Sequence, residues 1–352
     1  MKPKIIVVIG ARPQFIKHFP FEKASENRLN LKTIHTGQHY DKNMSDIFFE
    51  QLGMNKPNYT LNIGSGNHGE QTGKMMIEIE KIIIDEKPDG IVVFGDTNST
   101  LAGALVASKL HIPVFHIESG LRSYNKEMPE EINRILTDHV SNILFIPSEI
   151  ASENLMKEGI TQCVYNVGDI MKDLVEIVKK KGLFTDKKSS IDKYYYVTIH
   201  RPYNTDEKDR LFDVLLALNK LNFKVVMTLH PRTKNLSNKY QINLNSFTNI
   251  EFIEPQSYFD NLNYLYHSKG LITDSGGMQK EAYWLKKKCI TIRKETEWIE
   301  TLEFDANKLI FDKLSDIQVE LDVTPTKWDV ALYGYGNSAD KIVTSITKYF
   351  DE

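Results

Sequence analysis

The chain has 352 residues, of which 41% are hydrophobic and 26% are charged, and its formal net charge is -3. This composition is typical of a folded globular protein, and the length suits two domains of ordinary size. The slightly negative charge argues against a nucleic-acid-binding protein, because such proteins present a strongly basic surface.

Two cysteines, Cys163 and Cys289, lie far apart and belong to no CxxC or Cys/His pattern. This usage excludes a disulfide framework and a structural zinc site, and it indicates a reducing compartment. The first apolar run, residues 5–9, is far shorter than the about 18 residues of a membrane span, as are the later runs. We therefore expect a cytoplasmic protein with no membrane segment.

Short apolar strands alternate with helices through the first half of the chain. The predicted strands are 5–9, 31–36, 91–94, 114–117, 143–146 and 164–167. The predicted helices are 13–25, 44–52, 70–86, 99–110, one around Glu130, and 148–158. Such alternation is typical of parallel βαβ units and of an open, doubly wound sheet.

A polar, lysine-rich stretch over residues 179–193 interrupts this pattern and predicts a linker or domain edge. The alternation then resumes, with predicted strands 195–199, 225–229, 250–253, 270–273 and 290–292 and helices 206–221, 258–267 and 277–285. Apolar residues at helical spacing predict a last helix over 338–350. The sequence thus predicts an α/β protein with two Rossmann-like, doubly wound domains.

Chemically distinctive residues follow several of these strands. They are the segments 10–12, 95–96, 118–119, 198–200, 230–231 and 274–277. Ligands of open α/β sheets bind beyond the carboxyl ends of the strands. Two such domains facing each other would bring these segments into one cleft.

The stretch from His116 to His139 is the richest in charge, with Glu118, Arg122, Glu130, Glu131 and Arg134 in a strand, loop and helix. Glu130 and Arg134 are four residues apart, so a helix places them on one face. One interpretation is a cluster of acid/base groups next to a buried strand. The other is a surface loop with an ordinary ion pair.

The phrase Ser275-Gly276-Gly277 leads from a strand into a helix start, where free N–H groups and the helix dipole suit a phosphate. Glu281, further along that helix, suits ribose hydroxyls. The alternative is a tight turn followed by a solvated glutamate. Arg12 and Lys17 supply cations at the first helix start and suit a diphosphate, or else they are surface charges.

Asp96, His200 and His230 complete the set of candidates. A carboxylate after a buried strand is costly unless it is used or paired, and this argues for a role of Asp96; its alternative is a helix cap. His200 and His230 also follow strands, where each could simply cap an element. No two histidines have metal-ligand spacing, so we expect no catalytic metal.

At these residues the chain resembles the non-hydrolysing UDP-N-acetylglucosamine 2-epimerase family over nearly its full length. The matching phrases are 10–17, 36–40, 95–97, 116–122, 129–134, 200–201 and 273–281. The resemblance implies two Rossmann-like domains in a GT-B-like arrangement across a cleft, and a homodimer. It assigns residues 1–170 with a returning helix, 338–352, to the first domain and 171–337 to the UDP-binding second domain.

The resemblance also implies interconversion of UDP-N-acetylglucosamine and UDP-N-acetylmannosamine by elimination and re-addition of UDP through a 2-acetamidoglucal. No NAD or other cofactor is needed, because no hydride moves. By position, the catalytic groups are Asp96, Glu118, Glu130 and His200. The UDP-binding residues are Arg12, Lys17, Ser275, Gly276, Gly277 and Glu281, and the supporting residues are Arg122, Arg134 and His230.

Three phrases depart from the family pattern, around Gln14, Tyr203 and Trp298. They point to a modified UDP-sugar, such as a diacetamido uronic acid, as an alternative substrate. Gln38, His39 and Gln71 are candidates for a second, activating UDP-sugar site. The remaining alternatives are a hydrolysing 2-epimerase, a GT-B glycosyltransferase and a catalytically silent nucleotide-sugar sensor.

Overall fold

The computed structural model describes residues 2–38, 53–182, 184 and 186–351, and for Arg12 the backbone alone. The predicted helix 44–52 and the candidate His39 lie outside the described residues. The chain divides into two compact units: unit 1 comprises Met1–Ile177 and Ala331–Glu352, and unit 2 comprises Val178–Val330.

Unit 1 contains, in its described part, a parallel sheet of seven strands in the order β3-β2-β1-β4-β5-β6-β7. The strands are β1 Lys4–Ile9, β2 Asn30–His35, β3 Tyr59–Thr60, β4 Gly90–Phe94, β5 Val114–Ile117, β6 Ile143–Ile146 and β7 Val164–Asn166. The helices are α1 Arg12–Ser25, α2 His68–Glu86, α3 Asn98–Lys109, α4 Pro129–Val140, α5 Glu149–Lys157, α6 Ile170–Lys180 and a C-terminal helix, Ser338–Asp351.

The core of unit 1 forms where apolar strands meet helices with apolar residues three to four positions apart. Met75, Ile79 and Ile83 lie on one face of α2 and share a buried cluster with Val8 and Val93. Burying each such side chain contributes roughly 1.5–3 kcal/mol. The central strands are apolar on both faces because helices cover both sides of a parallel sheet.

The C-terminal helix returns to unit 1. Arg28 on α1 pairs with Asp340 at 3.0 Å. The carboxylate of Asp173 accepts hydrogen bonds from the backbone N–H groups of Ser338 and Ala339 at 3.0 and 2.7 Å, at the start of this helix. The predicted last helix is therefore confirmed, and it extends to Asp351.

Unit 2 repeats the topology, with a parallel sheet in the order β10-β9-β8-β11-β12-β13. Its strands are β8 Tyr194–Thr198, β9 Lys224–Thr228, β10 Ile250–Ile253, β11 Gly270–Thr273, β12 Lys288–Thr291 and β13 Asn307–Leu309. Its helices are α7 Pro202–Thr205, α8 Lys208–Asn219, α9 Pro231–Lys239, α10 Tyr258–His267, α11 Gly276–Trp284 and α12 Ile317–Asp322, with short 3-10 helices at Leu244–Ser246, Ile299–Asp305 and Leu314–Asp316.

Each sheet has a switch point at which the strand order reverses. β1 pairs with both β2 and β4, and β8 pairs with both β9 and β11. Ligands of doubly wound sheets bind at such points, beyond the carboxyl ends of the strands. In unit 1 the switch point is followed by Gly10 and Gly95, and in unit 2 by His200 and Asp274.

The predicted alternation of strands and helices is confirmed in both units, but several elements are missing from the prediction. β3 and β13 are too short to show a pattern, and α9 is polar, with Thr233 and Ser237 as its buried residues. α6 has helical apolar spacing through Leu174, Val175 and Val178, which are buried, and the prediction omits it. The short helix α12 is also absent from it.

The predicted domain boundaries, 170/171 and 337/338, stay a prediction; the compact units part at 177/178 and 330/331. The placement of the domains across a cleft also stays a prediction. Within the described residues, no helix is both long and apolar enough to cross a membrane.

Candidate active site

The turn after β1 is braced from inside by a glutamine. Oε1 of Gln14 accepts hydrogen bonds from the N–H groups of Gly10 and Ala11 at 2.7 and 3.0 Å, and its Nε2 donates to the Phe94 carbonyl at 3.0 Å. A Cβ atom on Gly10 would lie 2.1 Å from Ser99 Oγ, so glycine is required there. Gln14 is buried and ties the β1 turn to the end of β4.

Lys17, predicted to bind UDP, donates from Nζ to the carboxylate of Glu118 in an ion pair. Burial lowers the pKa of Lys17, but the charge of Glu118 and the hydrogen bond to it outweigh burial, so the pKa is raised. Lys17 therefore stays charged and restrains the Glu118 side chain. The side chain of the neighbouring candidate Arg12 lies outside the described part, and its phosphate contact stays a prediction.

The backbone of Glu118 is in the left-handed region, with φ of 66°. For a residue with a side chain this conformation costs about 1–2 kcal/mol, and such strain often marks functional sites. The N–H groups of Glu118 and Ser119 both donate to the Phe145 carbonyl at 3.1 Å. The turn is thus held firmly at the carboxyl end of β5.

Asp96, at the end of β4, forms an ion pair with Arg134 of α4. Arg134 also contacts Glu131 at 2.7 Å. Burial lowers the pKa of Arg134, but Asp96 and Glu131 together raise it above its usual value. Glu131 in turn accepts hydrogen bonds from the backbone N–H groups of Ser123 and Tyr124, each at 2.9 Å, so it fixes the loop before α4.

Glu130 is exposed and has no hydrogen-bond or ion-pair partner among the described residues. The shared helix face predicted for Glu130 and Arg134 does not produce a contact, because Arg134 pairs with Glu131 and Asp96 instead. Of the two adjacent glutamates, Glu130 is therefore the one available to a ligand.

Arg122, predicted as a supporting residue, is buried under the Glu118 turn. Its Nη1 lies 2.7 Å from Asp138 Oδ2, and its guanidinium donates to both oxygens of Glu158 at 2.7 Å. Burial lowers the pKa of Arg122, whereas Glu158 and Asp138 raise it, with a net increase. Arg122 supports the loop rather than presenting its charge at the surface.

In unit 2, the fully buried Asp274 organises the end of β8. Its carboxylate accepts hydrogen bonds from the N–H groups of His200 at 3.0 Å and Arg201 at 2.9 Å, and from Asn204 Nδ2 at 3.2 Å. Its Oδ1 also lies 3.3 Å from Nδ1 of His200. Asp274 thus fixes both the backbone and the ring of His200.

The rings of His200 and His230 stack, with centroids 4.9 Å apart. Burial lowers the pKa of His200; Asp274 opposes this, while His230 and nearby arginines reinforce it, and the net shift is downward. The pKa of His230 is lowered too, mainly by burial. His230 Nδ1 accepts a hydrogen bond from the Arg232 N–H at 3.2 Å and caps α9. Both shifts favour the neutral form of the two rings.

The predicted phosphate cradle is the start of α11. Ser275 is its N-cap residue, but the Ser275 side chain does not accept a hydrogen bond from the N–H groups of the first turn. A Cβ atom added to Gly277 would have no heavy-atom neighbour within 4 Å. Glu281 is buried in the same helix. The N-terminus of α11 has the open backbone that a phosphate requires.

Side chains from the following segment surround this first turn. The Cβ position of Gly276 lies 3.6 Å from Trp298 Nε1 and 3.7 Å from Arg293 Nη1. Arg293 makes a two-point contact with Glu297 at 2.9 and 3.0 Å. Lys280 Nζ lies 3.6 Å from the centroid of the Trp298 ring, in a cation–π contact.

Three buried residues that contact these turns are missing from the sequence-based set: His116, Asp138 and Asp274. Each is fully or almost fully buried. Asp274 lies within a phrase that the sequence singles out, and His116 and Asp138 lie in the charged stretch. A buried charged residue next to a strand end is the signal that could have identified them. No group of three or more potential metal ligands occurs in the described part of the chain.

A family model described as UDP-N-acetylglucosamine 2-epimerase matches residues 22–347. The chain is 45% identical over 350 residues to a Methanococcus maripaludis protein called UDP-N-acetylglucosamine 2-epimerase homolog, covering 97% of this chain and 98% of that protein. It is 44% identical over 357 residues to the UDP-2,3-diacetamido-2,3-dideoxy-D-glucuronate 2-epimerase of Pseudomonas aeruginosa, covering 98% and 99%.

A crystal structure of Methanocaldococcus jannaschii UDP-GlcNAc 2-epimerase in complex with UDP-GlcNAc and UDP matches with a TM-score of 0.84 and 43% identity, over 99% of this chain and 100% of that one. The match covers both units and confirms the predicted class of two Rossmann-like, GT-B-like domains. The chain belongs to the UDP-N-acetylglucosamine 2-epimerase family.

Proposed function

We propose that the protein interconverts UDP-N-acetylglucosamine and UDP-N-acetylmannosamine without net hydrolysis. The observation that carries this proposal is the placement of two carboxylates at the ends of paired strands. Phe94 on β4 pairs in register with Ile117 on β5, so Asp96 and Glu118 leave the sheet next to each other. Each carboxylate is paired with a cation, Glu118 with Lys17 and Asp96 with Arg134, which restrains its side chain.

The reaction inverts C2 of the sugar, so a proton leaves one face of the ring and another arrives on the opposite face. A single base does not readily reach both faces, and two carboxylates meet this requirement. In the proposed route a base removes H2, the C1–O bond breaks, and UDP departs with the bonding electrons. UDP then adds back to C1 after a proton is delivered to C2. Each acid/base group supplies roughly 10²–10⁴-fold.

The proposed catalytic set is Asp96, Glu118, Glu130 and His200. A neutral His200, supported by Asp274, is suited to accept and return a proton, and its lowered pKa supports this role. The exposure of Glu130 supports its contact with substrate.

The proposed UDP site uses the start of α11, with Ser275, Gly276 and Gly277 on phosphate and Glu281 on ribose. The uncapped helix start supports this assignment. Arg12 and Lys17 are proposed as cations for the diphosphate. Lys17 is also paired with Glu118. A Lys17 that contacts both the diphosphate and Glu118 would couple the departure of UDP to proton transfer by Glu118.

A modified sugar is the second candidate substrate. The 44% identity to a diacetamido-glucuronate epimerase supports it. Comparison of kcat/KM for UDP-N-acetylglucosamine and for the diacetamido uronic acid sugar decides between them. A preference for the plain sugar by more than about 100-fold would exclude the modified one.

We also propose that a second UDP-sugar activates the enzyme near Gln38 and Gln71. Gln71 accepts a hydrogen bond from Asn98 Nδ2 at 2.8 Å, and Asn133 Nδ2 contacts both Asn98 Oδ1 at 3.1 Å and the Asp96 carbonyl at 2.9 Å. This chain of amides supports communication with Asp96. The proposal predicts that traces of UDP-N-acetylglucosamine accelerate the reaction that starts from the manno sugar.

A homodimer is proposed as the working assembly. Ile132 and Leu136 are four residues apart on α4, and Ile77 and Ile84 lie on α2; all four are exposed. Their exposure supports the proposal, because a second copy packed on these helices would bury them. Sedimentation should give twice the chain mass, and Leu136→Glu should shift it toward the monomer.

A cytoplasmic location is proposed as well. Cys163 and Cys289 are both free thiols, and Cys289 is buried. Free thiols are ordinary in reducing compartments. Cell fractionation with a tagged chain tests this assignment.

Product analysis tests the proposed reaction directly. Incubation with UDP-N-acetylglucosamine should yield UDP-N-acetylmannosamine with no net release of UDP. Release of free N-acetylmannosamine would indicate a hydrolysing enzyme. Tight UDP binding with no turnover would indicate a transferase or a sensor.

A further inference from the structure

A buried histidine connects the two turns that carry Asp96 and Glu118. His116 on β5 is 0% exposed. Its Nε2 lies 2.8 Å from the Gly95 carbonyl oxygen, and its Nδ1 lies 2.7 Å from Asp138 Oδ1. Gly95 immediately precedes Asp96, so the imidazole holds the peptide that leads into this carboxylate.

Asp138 carries the connection to the other turn. Its Oδ2 accepts a hydrogen bond from the Gly120 N–H at 3.1 Å and pairs with Arg122 at 2.7 Å. Gly120 closes the turn that begins at Glu118. Its φ is 77°, and a Cβ there would lie 2.6 Å from the Ala151 carbonyl oxygen. The turn therefore has little freedom while Asp138 holds it.

The hydrogen bonds define where the protons lie. The Gly95 carbonyl only accepts, so Nε2 of His116 carries a proton. Burial raises the pKa of Asp138, but His116 and Arg122 lower it further than burial raises it, and the net shift is downward. Nδ1 shares the other hydrogen bond with Asp138 Oδ1. The ring thus makes one hydrogen bond toward each turn.

We propose that His116 and Asp138 are a positioning pair that sets the separation of the Asp96 and Glu118 carboxylates. The role rests on the proposed function, in which both carboxylates serve one sugar ring. Arg134 and Lys17 restrain the tips of the two side chains, whereas the pair holds the backbone from which they extend. Because the backbone of Glu118 is in a strained conformation, it requires such support.

The competing explanation is a purely structural ion pair. A buried ion pair by itself is weak evidence for stability, since well-packed apolar residues often replace it without loss. A structural pair would change the free energy of unfolding and leave kcat of the folded protein near normal. A positioning pair lowers kcat in a folded variant that still binds UDP.

The test uses two near-isosteric variants. His116→Gln keeps a donor for Gly95 and loses the bond to Asp138; His116→Asn keeps a donor for Asp138 and loses Gly95. For each folded variant we expect kcat to fall about 100-fold, since a misplacement near 1 Å has such an effect. KM and the UDP dissociation constant should stay within about threefold of wild type. Combining His116→Gln with Asp138→Asn should lower kcat no further.

His18→Gln is the matched control. His18 is also a buried histidine of unit 1, bonded to Thr33 Oγ1 at 3.1 Å, and it touches neither turn. It should retain wild-type kcat at neutral pH. Wild-type kcat in folded His116→Gln, or an equal loss in the control, would overturn the proposal.

A measurement on the unaltered protein keeps the test independent of folding and of activity. In ¹⁵N-histidine-labelled protein, the ring assigned to His116 should show a slowly exchanging Nε2–H signal, because this proton is buried in the hydrogen bond to the Gly95 carbonyl. An Nε2–H on that ring that is absent, or that exchanges as fast as the N–H of an exposed histidine, would refute the connection between the turns. If wild type fails to epimerise any UDP-sugar, the proposed function falls, and the NMR result still decides the connection.

Discussion

The Asp274→Asn variant tests how far the stability of unit 2 and the activity of His200 depend on the carboxylate that holds this histidine. Asp274 is fully buried and receives N–H groups from His200, Arg201 and Asn204. An asparagine oxygen in the place of Oδ2 can still accept these three hydrogen bonds, but the acceptor loses its charge, and an amide NH2 now faces His200. A hydrogen bond to a charged group contributes about 1 kcal/mol more than a neutral one, so we expect unit 2 to lose about 2–4 kcal/mol of unfolding free energy.

The same change should alter catalysis and the titration of His200. The charge of Asp274 raises the pKa of His200 against burial, so its removal should lower that pKa further. Loss of the ring's orientation should reduce kcat about 100-fold or more. Urea unfolding, histidine NMR titration and initial rates measure the three effects.

Asp260→Asn is the matched control within unit 2. Asp260 is partly exposed and contacts Lys188 at 3.2 Å and Ser257 Oγ at 2.8 Å. Its replacement should cost less than about 1 kcal/mol and leave kcat unchanged. If Asp274→Asn matches this control in stability and rate, the support assigned to Asp274 is refuted.

Three further variants test unit 1. Glu131→Gln weakens the contacts to Ser123, Tyr124 and Arg134. It should lower the free energy of unfolding in urea by about 2–3 kcal/mol and should also lower kcat. An unchanged free energy of unfolding would contradict the role of Glu131 in holding the loop. Gly120→Ala should lower Tm by several degrees, reflecting about 1–3 kcal/mol of strain, and an unaltered Tm would argue against the tight turn. Burial lowers the pKa of His18 to about 3, so its contribution to stability is complete above pH 6.5 and falls as the pH drops. Between pH 6.5 and 5 the free energy of unfolding should fall by about 2 kcal/mol because of this histidine. The His18→Gln variant should lack this part of the pH dependence. If wild type and variant lose equal stability over this range, the burial effect assigned to His18 is refuted.

The fold could largely be predicted because buried parallel strands leave continuous apolar runs, and residues following them lie at strand ends. Asp96, Glu118 and His200 each follow such a run, so the sequence alone predicts their place at strand ends. Short or polar elements such as β13 and α9 leave no apolar run, and their assignment depends on tertiary contacts.

The partners of the charged residues could not be predicted in the same way. A helix places residues both three and four positions from Arg134 on its face, and the structure selects Glu131 over Glu130. Arg122 pairs with Glu158, which is 36 residues away. Such pairs depend on how helices pack, and no local pattern encodes them. Binding of UDP by Arg12, Lys17, Ser275, Gly276, Gly277 and Glu281 stays a prediction.

The most direct measurement is proton NMR of the purified protein with UDP-N-acetylglucosamine in D2O. We expect deuterium to enter C2 as the manno epimer forms, with no net release of UDP, and we expect Glu118→Gln to abolish this exchange. Epimer formation with hydrogen retained at C2, or normal exchange in Glu118→Gln, would contradict this expectation.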